Sequence, residues 1–121
     1  MDTLTIYTLA SCDTCRKAKA WLARNGLSFE EKAIRQQPPT VDELRAMVAA
    51  QEVRRVFNTA GREYRALGLA DVLPTLSDDA AIALLARNGS LIKRPFLIGA
   101  GVALVGFDEP AWAQALAGRG R

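Results

Sequence analysis

Leu4-Thr5-Ile6-Tyr7-Thr8-Leu9-Ala10-Ser11-Cys12-Asp13-Thr14-Cys15-Arg16-Lys17 is the stretch on which the reading of this chain turns. Its first five residues are apolar, β-branched or aromatic, which predicts a buried strand from Leu4 to Thr8. From Asp13 the period changes. Cys15, Ala18 and Leu22 recur on one helical face with Trp21 beside them, while Arg16, Lys17, Lys19 and Arg24 point elsewhere. That spacing predicts a helix from Asp13 to Asn25, closed by Gly26 in a left-handed C-cap. Cys12 and Cys15 are the only cysteines, and they sit at the strand-to-helix junction. A thiol there meets the positive end of the helix dipole, which favours thiolate over thiol. A second thiol one turn on shares the same face, within reach for a disulfide. The primary expectation is a redox site with Cys12 as nucleophile and Cys15 as resolving thiol. The plainer alternatives are an inert, buried Cys12 and a Cys15 that only fills the core.

Downstream, Leu27 to Ile34 alternates enough for a second strand, with Phe29 as its expected buried anchor, completing a β-α-β unit. Gln36-Gln37-Pro38-Pro39 reads as a linker, and Thr40-Val41-Asp42-Glu43 as a capping box opening a helix to about Ala50. Val53 to Phe57 is a short apolar-basic segment. Glu63 to Leu67 and Ser77 to Asn88 read as helices, the second started by Ser77, Asp78 and Asp79. Strand character returns at Leu91-Ile92. Phe96-Leu97-Ile98, Gly99-Ala100-Gly101 and Val102 to Val105 then read as a hairpin. A last helix is expected from Ala111 to Leu116, before a tail, Gly118 to Arg121, expected to fray. Trp21, Phe29, Phe57, Phe96 and Trp112 are expected in the core. The fold class is α/β: a thioredoxin-like mixed sheet with flanking helices and an inserted helical subdomain. One domain spans residues 1–121, with the sheet core at about 3–34 and 90–117 and the insertion at about 36–89.

With 121 residues, half of them apolar and 24% charged, the chain fits one domain with a real core. No apolar run approaches the ~20 residues that span a bilayer. Met1-Asp2-Thr3 lacks a basic start and an apolar stretch, so no signal peptide and a cytoplasmic location are expected. There, paired cysteines are more often catalytic, sensing or metal-binding than structural. The net charge of +3 is mild and spread along the chain, so it permits anionic partners without demanding nucleic acid. The chain has no histidine, which removes Ser-His-Asp and Cys-His catalysis, and two cysteines cannot close a tetrahedral zinc site. No metal and no bound cofactor are expected, and the chain is expected to act as a monomer.

Three further groups belong with the thiols. Pro95 opens a strand, where a missing N–H is tolerated, and a cis Arg94–Pro95 bond is expected from the fold argument. Arg94 would then face Cys12 and offer forked donors to an oxyanion or to glutathione, the alternative being a plain surface arginine. Ser11 and Thr14 offer hydroxyls beside Cys12, or else cap the helix, and Arg16 adds positive charge while Asp13 opposes it. Asn58-Thr59-Ala60-Gly61-Arg62 lines the thiol site or forms an ordinary turn.

Cys12-Asp13-Thr14-Cys15-Arg16-Lys17-Ala18, Asn58-Thr59-Ala60-Gly61, Leu91-Ile92-Lys93-Arg94-Pro95 and Leu104-Val105-Gly106-Phe107, in this order and spacing, resemble the ArsC/Spx/YffB family. The likeness runs from about Leu4 to Leu116. It implies a thioredoxin fold with a helical insertion, Cys12 as the nucleophile and Arg94 as the arginine before the cis-proline. Glutathione-coupled arsenate reductases of this family use two further arginines, and Asn58 and Phe107 fall near those places here. These departures from the family's pattern argue against an efficient arsenate reductase. The Asn58 loop is most like YffB, which implies a glutathione-dependent thiol reductase with glutathione as co-substrate and glutaredoxin among its partners. The Cys12–Cys15 pair is more like Spx, a redox-switched regulator that binds the RNA polymerase α subunit. A glycine used in that contact would fall near Ala50 to Glu52, where none is present. The expected partner is thus glutathione or another thiol or disulfide, with polymerase binding and arsenate reduction as the alternatives.

Overall fold

A computed structural model describes residues 3–118 of the chain. The expected fraying of the tail concerns mainly Arg119 to Arg121, which lie outside those residues, as do Met1 and Asp2. Among the described residues, four strands form one mixed sheet in the order β2-β1-β3-β4. Strand β1 (Leu4–Thr8) is central and pairs parallel with β2 (Phe29–Ala33). It pairs antiparallel with β3 (Phe96–Gly99), which pairs antiparallel with β4 (Val102–Val105). Between β1 and β2 runs α1 (Asp13–Arg24). Between β2 and β3 lie α2 (Val41–Ala50), α3 (Val53–Val56), α4 (Arg62–Ala66), α5 (Leu69–Val72) and α6 (Asp78–Arg87). Helix α7 (Glu109–Ala115) is the last helix among the described residues. This is the thioredoxin-like mixed sheet with flanking helices that the residue pattern predicts. Among the described residues, no helix is long and apolar enough to cross a membrane.

Alternation along the strands decides which helices cover which face. Leu4 and Ile6 of β1, Leu97 of β3 and Val102 of β4 point to one side, where they meet Ala18, Trp21 and Leu22 of α1 and Trp112 of α7. Tyr7, Phe96, Ile98 and Val105 point to the other side and meet Leu44, Met47, Val56, Tyr64, Ile82 and Leu85. The inserted helices are therefore the second cover of the sheet, sharing its core. Burying side chains of this size stabilises by about 1.5–3 kcal/mol each. A polar clasp adds to it: the Tyr7 hydroxyl donates to Glu43 Oε1 at 2.6 Å. Burial and that carboxylate raise the phenol's pKa. Glu43 also completes the expected capping box, accepting from the Thr40 N–H at 3.0 Å.

Several expectations need correction. Phe29 is only half-buried. Strand β2 is an edge strand, and its neighbours Leu27 and Ile34 carry the burial instead. Leu69–Val72 forms a further short helix, α5, entered through Gly68 in a left-handed conformation at φ 62°. Leu91-Ile92 is not a strand: Gly89–Leu91 makes a single 3-10 turn and Ile92 forms one bridge with Phe57. Helix α7 starts two residues earlier than expected, at Glu109, because Pro110 is tolerated in a first turn.

The turn at Gly89 joins the insertion to the sheet. A Cβ there would lie 2.2 Å from the Ile34 carbonyl oxygen, whereas one on Gly68 would meet nothing within 4 Å. Gly89→Ala is expected to cost about 1–3 kcal/mol by overpacking. Gly68→Ala should cost about 1–2 kcal/mol from its backbone conformation alone. Denaturant melts of the two variants check this, and a Gly89→Ala melt equal to wild type would contradict the contact.

Candidate redox site

Cys12 is itself the N-cap of α1, with φ −87° and ψ 111°. Its Sγ accepts the Cys15 N–H at 3.1 Å, and its own N–H donates to the Leu9 carbonyl at 3.0 Å. The chain leaves β1 at Thr8, turns at Leu9, and aims this sulfur at the orphan amides of the first helical turn. Amide donors aimed at a sulfur stabilise charge on it. Cys12 is half-buried, so a reactant reaches it, whereas Cys15 is 1% exposed on the inner face of α1. Burial first, then the hydrogen bond with the Cys12 side chain, pushes the Cys15 thiol up to about 12. A backbone bond with Leu9 and the charge of Arg94 pull it the other way. Both cysteines are free thiols. The pair thus has an outer sulfur that accepts the Cys15 amide, and a protonated inner sulfur.

The Arg94–Pro95 peptide is cis. Arg94 is half-buried, its Nη1 donates to the Ile92 carbonyl at 3.3 Å, and its charge is felt at the Cys15 thiol. Pro95 is buried, and its carbonyl accepts the Gly106 N–H at 2.9 Å. The Gly106 carbonyl in turn accepts Trp112 Nε1 at 3.1 Å. The arginine-proline step is thereby braced by the exit of β4 and by α7. Register explains why these parts meet: Tyr7, Phe96 and Val105 stand side by side across the sheet. The Cys12 turn, the Arg94–Pro95 step and the Gly106-Phe107 exit all leave the sheet from that end.

The other expected site residues take different places. Ser11 and Thr14 are exposed next to Cys12, and the capping bond belongs to the Cys12 sulfur rather than to either hydroxyl. Arg16 is exposed and paired with Asp13, which Lys17 also approaches at 3.7 Å. Such surface pairs contribute little stability, but they meet the Asp13 charge expected to oppose a thiolate. Asn58 is half-buried; its N–H donates to Leu91 O at 2.7 Å and its carbonyl accepts from Gly61. Its backbone is thus tied to the segment leading to Arg94. Sequence reasoning missed Leu9, whose carbonyl holds the Cys12 amide. A backbone group has no side-chain signature by which to find it.

Comparison with known proteins finds matches along most of the chain. The model of the ArsC family matches residues 7–115. The chain is 41% identical to the uncharacterised protein YusI of Bacillus subtilis, over 92% of this chain and 96% of that one. It is 35% identical to the global transcriptional regulator Spx of Enterococcus faecalis, over 88% of this chain and 80% of that one. The crystal structure of an ArsC-family-related protein from Bacteroides fragilis is 37% identical, with a TM-score of 0.87, covering 93% of this chain and 97% of that one. A solved YffB protein is 34% identical, with a TM-score of 0.80 over 95% of this chain and all of that one.

Two outcomes follow from the unequal sulfurs. At neutral pH, iodoacetamide should label Cys12 in the folded protein more than about 100-fold faster than Cys15, and in urea the two should react alike. Equal labelling in the folded state would contradict the assignment. The folded state also keeps the Cys15 proton above the ordinary thiol range, where the unfolded chain gives it up. Stability should therefore fall as pH rises from about 9 toward 12, and Cys15→Ala should flatten that part of a pH series of melts. By sequence and by fold, the chain belongs to the ArsC family.

Proposed function

We propose that the chain is a cytosolic, glutathione-linked thiol oxidoreductase in which Cys12 is the nucleophile and either Cys15 or a second glutathione resolves the adduct. The observation that carries this reading is the reachable Cys12 sulfur, bonded to a first-turn amide and backed by a buried thiol. In the first step Cys12 Sγ, as thiolate, attacks the glutathione sulfur of a mixed disulfide. The substrate thiol leaves, taking a proton from water, and glutathione remains on Cys12. In the second step either Cys15 displaces glutathione, leaving a Cys12–Cys15 disulfide, or a second glutathione takes the first away as its disulfide. The buried, protonated Cys15 favours the second route at high glutathione. Arg94, whose charge reaches the inner thiol, supplies positive potential to the anionic sulfurs of both steps.

Arsenate reduction has less support. The resemblance puts oxyanion-holding arginines near Asn58 and Phe107. Phe107 is instead packed edge-on against Trp112, with ring centroids 4.9 Å apart, and lies 6.1 Å from Trp21. The likeness to Spx supports a second reading, in which Cys12–Cys15 oxidation changes the start of α1 and alters binding to the RNA polymerase α subunit.

Turnover of a glutathione mixed disulfide with excess glutathione tests the first reading. Cys12→Ser should lose more than about 100-fold in rate, and Cys15→Ala less than about tenfold. Full activity in Cys12→Ser would end it. Arsenite release in the presence of glutathione and glutaredoxin should equal that of buffer alone. Capture of polymerase α subunit in only one redox state would instead select the regulator.

A further inference from the structure

A cavity of about 260 Å³ opens beside the arginine-proline step. Its charged lining comes from Glu52, Arg54, Arg55 and Lys93, and Phe57 and Val105 supply apolar wall. Two backbone links build it. The Lys93 N–H donates to the Val56 carbonyl at 2.8 Å, and Phe57 bridges to Ile92, so α3 lies against the segment that ends in Arg94. Val105 stands beside Phe96, the residue after Pro95, so the cavity opens at the same end of the sheet as the Cys12 turn.

Its charged groups stand outside the ion pairs of the surface. Among the described residues, the ion pairs are Asp13 with Arg16 and Lys17, Glu31 with Lys19, and Asp79 with Arg45. None involves Glu52, Arg54, Arg55 or Lys93. Three cations and one carboxylate therefore line one small space with no ion pair among them. An isolated anion such as phosphate would satisfy the cations and be repelled by Glu52. An α-amino acid end satisfies both signs, its carboxylate toward the cations and its ammonium toward Glu52, with its aliphatic carbons on Phe57 and Val105. The volume is below the ~300–1,000 Å³ of a complete small-molecule site, so it suits one end of a ligand.

We propose that this cavity is a subsite for the zwitterionic amino-acid end of a small peptide thiol, of which the γ-glutamyl end of glutathione is an example. The inference rests on the reading of Cys12 as a thiol-exchange nucleophile and names the substrate feature that reading leaves open. Glu52 is a specificity-determining residue here, not a catalytic one.

The test uses S-methylglutathione, which cannot exchange disulfides, and its analogue lacking the α-amino group. Each is titrated into the full-length reduced protein while backbone amide shifts are followed by NMR. Saturable shifts are expected at residues 52–59 and 93, with the analogue binding about tenfold more weakly. In Glu52→Gln the two ligands should bind alike. Absence of saturable shifts at these amides, equal binding of both ligands to the wild type, or an unchanged preference in Glu52→Gln would each overturn the proposal. The mixed-disulfide assay reports separately on Cys12. Binding here without turnover would sink the nucleophile and leave the subsite, and turnover without binding here would do the reverse.

Discussion

The hydrogen bond from the Cys15 amide to the Cys12 sulfur is the contact on which the rest of this site depends. It makes a cysteine do the work that serine, threonine or aspartate usually does at a helix start. The same bond fixes the sulfur's position at the positive end of α1 and sets the two thiols one turn apart. Their unequal environments follow from helical geometry. The N-cap stands outside the helix and stays reachable, while the residue three positions on faces the core with Ala18 and Leu22.

Sheet topology supplies the other half of the site. Because β3 runs antiparallel to β1, the segment entering β3 arrives where β1 leaves. Arg94 and Pro95 belong to that segment, so strand pairing brings a residue far away in sequence to the end of the sheet where the thiols lie. The insertion enters the same region through the Phe57–Ile92 bridge, which carries α3 and its arginines to the edge of the site. The insertion thus both covers one face of the sheet and builds a wall next to the chemistry. Glu31 adds a peripheral tie, accepting from Thr8 and pairing with Lys19 at 2.9 Å, which holds the end of β1 to α1. Those two partners lower its pKa, so this tie weakens as the pH falls through the acidic range.

Much of this was legible in the residues alone because the signals are local. The period change at Asp13, the Thr40–Glu43 capping box, the hairpin around Gly99-Ala100-Gly101 and the Cys12–Cys15 spacing each rest on a few neighbouring side chains. The cis bond before Pro95 was expected from the fold rather than from the dipeptide, and it is present. What was not legible depends on distant partners. Phe29 looks like a buried anchor until β2 proves to be an edge strand. Leu91-Ile92 looks like a strand until Gly89 is forced against the Ile34 carbonyl and only one bridge can form. The acceptor that holds the Cys12 amide is the backbone of Leu9, which any residue could provide.

The consequence is a pair of sulfurs that differ in access, the inner one held protonated by burial. Equilibration with oxidised glutathione, followed by intact-mass analysis and peptide mapping, tests this most directly. The wild type should lose two hydrogens and yield a Cys12–Cys15 linked peptide, and Cys15→Ala should gain one glutathionyl group, located on Cys12. Glutathione found on Cys15 of the folded wild type, or a protein left unmodified in both forms, would contradict the account.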